Sequence, residues 1–104
     1  METQAIEINL TEYKSLNEGR YSTLGLQIKR ILGAMFGGFQ MPLNVKGSRR
    51  EIDSFLNTLV KEKKYMTAYL KYGLNDPRTL RDKAKLAGAV SKFERQTGIL
   101  WPFK

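Results

Sequence analysis

The sequence predicts an α+β fold, a predominantly helical single domain with two long C-terminal helices and a small two-stranded element ahead of them. Three observations carry that prediction. From Ser48 onward the chain holds two long amphipathic patterns, each opened by a capping signal and closed by glycine. Before Ser48 it holds two short segments of strand character. Its 104 residues leave room for one core, so residues 1–104 form a single domain.

The elements follow in order. Ala5-Ile6-Glu7-Ile8-Asn9-Leu10 alternates apolar and polar, the period of a half-buried strand, and Thr11 offers a cap for a turn of helix through Leu16 that Gly19 should end. Ser22 or Thr23 starts a helix through Phe36, in which Leu24, Ile28, Ile31, Leu32 and Met35 fall on one side. Gly25 and Gly33 weaken it by about 1 kcal/mol each relative to alanine, and Gly37-Gly38 stops it. Phe39 to Lys46 reads as a second strand, placed at an edge because Pro42 lacks an N–H for a ladder.

Ser48-Arg49-Arg50-Glu51 is a capping box, in which Ser48 accepts from the Glu51 amide while Glu51 reaches back to the Ser48 amide. Ile52, Phe55, Leu56, Leu59, Val60, Met66 and Leu70 then make an apolar stripe to Tyr72, with Gly73 as the stop. Asp76-Pro77 caps and opens the last helix, since proline at the first helical position loses no hydrogen bond. That helix runs to Gln96 and stops at Gly98. The short link at Gly73 to Asn75 suits either an antiparallel pair or an angled corner.

Composition narrows the function. With 0 cysteines and 0 histidines, thiolate nucleophiles, disulfides, histidine acid–base chemistry and most zinc sites are excluded. The acidic residues are scattered, and Gly37-Gly38 lacks the Lys-Ser/Thr of a phosphate loop. A non-enzyme with no cofactor and no metal is expected. No apolar run approaches the roughly 18 residues of a membrane span, and the acidic start is unlike a signal peptide, so a cytoplasmic protein without a membrane partner is expected.

The net charge of +8 lies entirely beyond Asn44: residues 45–104 carry 14 basic and 6 acidic side chains, while residues 1–44 carry four of each. Such asymmetry attracts polyanions. On the last helix Arg78, Arg81, Lys85, Lys92 and Arg95 recur on the side opposite Leu80, Ala87, Val90 and Phe93. Gly88 falls within the basic row, where it lets a second backbone approach closely. The competing reading is the wet face of any surface helix, and Asp82 and Glu94 interrupt the field nearby.

On the preceding helix Tyr65, Tyr69 and Tyr72 share a flank with Lys61, Lys64 and Lys71 nearby. Tyrosine stacks on an unpaired base for roughly 1–3 kcal/mol; it equally suits a core edge, ring buried and hydroxyl wet. Arg49 and Arg50 sit in a first helical turn, where positive charge opposes the dipole and an anionic partner would offset the penalty. Trp101 and Phe103 either fold back over the groove between the two long helices or form a protein-docking patch.

The stretch GLNDPRTLRDKAKL, followed by FERQTG and a WPFK end, resembles small accessory proteins of T4-like tailed phages. The resemblance spans the second half of the chain and carries over no binding residue. It implies an infected bacterial cytoplasm and a role in handling the phage genome or in disarming a host protein. Two functions are therefore in view. One is a basic nucleic-acid-binding module, for DNA or RNA, that mainly contacts phosphates. The alternative is a protein-binding inhibitor or adaptor that sets its basic face on an acidic host protein surface.

Overall fold

A computed structural model of the chain describes residues 6–13, 18–38 and 43–103. The order is β1 (Ile6–Asn9), α1 (Leu10–Tyr13), α2 (Glu18–Gly37), β2 (Leu43–Lys46), α3 (Arg49–Tyr72) and α4 (Pro77–Thr97). The domain is predominantly helical, with two long C-terminal helices and a two-stranded element, as the sequence predicts.

β1 and β2 pair in parallel, with Ile6 opposite Leu43 and Ile8 opposite Val45. A parallel pair needs a crossover, and α2 lies within it. Ile6 and Ile8 point into the core while Glu7 faces out, so the alternation seen in the sequence is the alternation of burial. The first part of the expected second strand, residues 39–42, lies outside the described residues, as does Ala5.

Two boundaries differ from the sequence reading. The Thr11 amide donates to Asn9 Oδ1 at 3.0 Å, so Asn9 caps the short α1 and Thr11 lies inside it. Gly19 does not end that turn; it lies within α2, which begins at Glu18, ahead of Ser22 and Thr23. Tertiary packing of the apolar face outweighs the modest helix penalty of one glycine.

α2 turns Leu24, Ile28, Ile31 and Leu32 inward, with Met35 half-buried. α3 and α4 form an antiparallel pair: the Thr58 hydroxyl reaches Ala89 O at 3.4 Å and the Thr79 hydroxyl reaches Ala68 O at 3.2 Å, so numbers rise on one helix as they fall on the other. This decides between the hairpin and the corner. Both capping signals form. Ser48 and Glu51 exchange bonds of 3.0 and 3.2 Å, and Asp76 accepts from the Arg78 amide at 2.9 Å.

The buried stripes are displaced from those expected. On α4 the inward residues are Thr79, Leu86, Ala89, Val90, Phe93 and Thr97, while Leu80 and Ala87 are exposed. On α3 they include Ser54, Phe55, Thr58, Leu59 and Glu62, while Leu56, Val60 and Leu70 are exposed. The cause is that hydroxyls can be buried when a carbonyl receives them: Thr58 also bonds Ser54 O at 2.7 Å, and Thr97 bonds Phe93 O at 2.7 Å. Threonine therefore fills core positions that a hydrophobic count assigns to a neighbour.

Gly98 takes the left-handed conformation (φ 73°) that L side chains avoid, and it turns the chain back over the pair. Ile99 is buried behind it, its amide donating to Thr97 Oγ1 at 3.0 Å. Trp101, 2% exposed, then packs between the helices, with ring centroids 6.0 Å from Phe55 and 5.4 Å from Phe93.

Candidate nucleic-acid interface

α4 presents its cations along a length of about 26 Å from Arg78 to Arg95, at about 1.5 Å per residue. At about 100° per residue, Arg81, Lys85 and Lys92 fall within about 40° of one another. Gly88 lies in the same sector, and Arg95 borders it. All four basic side chains are exposed and have no ion pair among the described residues. A Cβ placed on Gly88 would meet nothing within 4 Å, so this glycine relieves no contact inside the fold.

Arg78 differs. Its guanidinium makes two bonds to the Asp76 carboxylate, at 3.0 and 3.1 Å, and its Cζ lies 3.5 Å from the Tyr72 ring centroid. These hydrogen bonds hold the Asp76 carboxyl below the usual carboxylate range and raise the guanidinium's own pKa. Arg78 thus fastens the α3–α4 turn, and its charge is partly neutralised.

The three tyrosines separate. Tyr65 packs half-buried against the core. Tyr72 has Arg78 over its ring and Lys71 Nζ 5.3 Å from the centroid. Tyr69, 47% exposed, is the one whose ring is open to solvent. The flank therefore combines both readings of it: one ring is held by the core, one by Arg78, and one is open.

The antiparallel register carries Arg49 and Arg50, at the start of α3, to the end of α4 that bears Lys92. Together with Ser54, Asn57 and Gln96 they line a cleft of about 500 Å³. Asp53 also borders it, 3.9 Å from Arg49 across solvent. Ser54, Asn57 and Gln96 were not singled out from the sequence. The available signal was spacing, since Arg50, Ser54 and Asn57 recur at 4 and 3, and Lys92 and Gln96 at 4.

On the other side of the pair, a groove of about 770 Å³ is lined by Glu62, Tyr65, Lys83, Glu94 and Phe103. Trp101 Nε1 donates to Glu62 Oε1 at 3.0 Å, and the Trp101 amide donates to Glu94 Oε2 at 2.9 Å. Burial raises the Glu62 pKa, and the bond from Trp101 offsets part of that rise. Both carboxylates serve the tail. Of the two readings of the tail, the placement of the Trp101 ring among Phe55, Phe93 and Phe103 agrees with the fold-back over the helix pair; Phe103 itself is half-buried.

Among the described residues no group of three or more acidic side chains could hold a metal ion, and no helix is long and apolar enough to cross a membrane. No family model, curated protein or solved structure matches the chain.

Proposed function

We propose that this protein is a small non-catalytic nucleic-acid-binding accessory protein, of the kind tailed phages carry, that holds the phosphate backbone along the basic flank of α4. The observation that supports this most is the row of Arg81, Lys85, Lys92 and Arg95, exposed and unpaired among the described residues, with Arg50 brought to its end by the α3–α4 hairpin. Cations left unpaired on one flank neutralise phosphates and release counterions, which favours binding without sequence readout. Gly88 lets a strand lie close to the helix, and Tyr69 supplies a ring for an unpaired base. Replacing Arg81 and Lys85 by alanine tests this: affinity for all sequences should fall alike, with a shallower salt dependence.

One observation favours the protein-binding reading. Tyr69, Leu70, Leu74 and Leu80 are exposed at or beside the α3–α4 turn, with Leu70 73% exposed. That reading predicts a defined protein partner retained after nuclease treatment and released by Leu70→Ser with Leu74→Ser.

A further inference from the structure

The strongest unexplained feature outside the α4 row is the cleft between the first turns of α3 and the last turns of α4. Two buried polar atoms there have no hydrogen-bond partner among the described residues, Ser54 Oγ and Gln96 Oε1, and both residues line the cleft. Ser54 is 6% exposed. A buried polar group without a partner is costly, so a small domain with two on one cleft has a reason for them. The same cleft carries Arg50 and Lys92, and Arg49 at its mouth, against one carboxylate, Asp53. That carboxylate faces Arg49 across solvent, where an ion pair is weak, so the positive excess stands.

The helix ends do not decide the field. The positive end of α3 and the negative end of α4 lie together, and the Glu51 amide of α3 is already bonded to Ser48. Full side-chain charges and the two orphaned atoms therefore define what fits. A phosphate suits the arginines and lysine, and the Ser54 hydroxyl can donate to one of its oxygens. Gln96 Oε1 is an acceptor and asks for a donor beside the phosphate, which a sugar hydroxyl or a base N–H provides.

We infer that this cleft is a phosphate pocket that anchors one nucleotide of the bound strand, with Arg50 and Lys92 taking the charge, Ser54 donating to a phosphate oxygen and Gln96 accepting from the adjoining sugar or base. The nucleotide assignment rests on the nucleic-acid reading; the pocket's affinity for phosphate does not. It sets the strand's position at one end of the α4 row, where the exposed cations alone would let it slide.

The test follows amide and side-chain resonances of the full chain as inorganic phosphate is added at fixed ionic strength, and then as an oligonucleotide without terminal phosphates is added. Saturable shifts centred on Arg50, Ser54, Asn57, Lys92 and Gln96 are expected from both. Ser54→Ala should weaken both by about tenfold, the loss of one hydrogen bond to a charged group. Its melting temperature should not fall, because the hydroxyl it removes has no partner among the described residues. If phosphate moves these residues but the oligonucleotide does not bind, the pocket stands and the nucleic-acid reading falls. If the oligonucleotide binds in a manner lost with Arg81→Ala and Lys85→Ala, while phosphate leaves the cleft unmoved and Ser54→Ala is silent, the pocket is overturned and the nucleic-acid reading stands.

Discussion

Trp101 shows how one side chain joins three parts of the molecule. Its ring fills the space between Phe55 of α3 and Phe93 of α4, and its indole N–H is received by the buried Glu62. Trp101→Ala should cost about 3–5 kcal/mol and lower the melting temperature sharply. Glu62, 5% exposed, makes stability depend on pH. Its folded-state pKa lies above its unfolded value, so between the two the folded chain binds more protons. Stability is then fully present below the ordinary glutamate range and declines as pH rises through the raised value. Lys29, Lys83 and Glu94 line the grooves around it, while burial and the bond from Trp101 set its shift. Glu62→Gln keeps an acceptor for Trp101 and cannot ionise. Thermal melts across pH should show this variant gaining on the parent as pH rises; a constant difference would mean that burial does not raise this carboxyl.

The helix ends of α3 and α4 were fully legible in the sequence, because a cap is a local device: Ser48 with Glu51, and Asp76 before Pro77, need only their own backbone. Ser48→Ala should cost about 1 kcal/mol, measured by denaturant unfolding. The inward faces were less legible. Burial of Thr58, Thr79 and Glu62 depends on partners at Ala89, Ala68 and Trp101, far away in sequence, so hydrophobic spacing alone placed Leu80 and Leu70 inside. The different settings of the three tyrosines were not legible for a related reason, since Arg78 reaches Tyr72 only once the hairpin closes. Gly88 gives an element-scale prediction in which stability and binding move in opposite directions. Gly88→Ala removes a helix-interior glycine and meets no neighbour, so stability should rise by about 0.5–1 kcal/mol. A strand lying against that surface should bind more weakly.

Across the whole molecule, charge is divided as structure is: residues 1–44, neutral in sum, supply β1, α1 and α2, and residues 45–104 supply the whole +8 and both long helices. The asymmetry was visible in the sequence, but the meeting of Arg50 with Lys92 was not, because it requires the antiparallel register. With Arg78 engaged by Asp76, the proposed phosphate row consists of Arg81, Lys85, Lys92 and Arg95, with Arg50 at its end. The most direct measurement is a fluorescence anisotropy titration of labelled single- and double-stranded DNA and RNA from about 50 to 200 mM salt. Five phosphate contacts predict saturable binding whose log affinity falls against log salt with a slope of about −4.5 on duplex or about −3.5 on single strands, shallower in the Arg81→Ala, Lys85→Ala variant. Absence of binding at the low-salt end, or an affinity unchanged by that double substitution, would contradict the assignment of the α4 flank to nucleic acid.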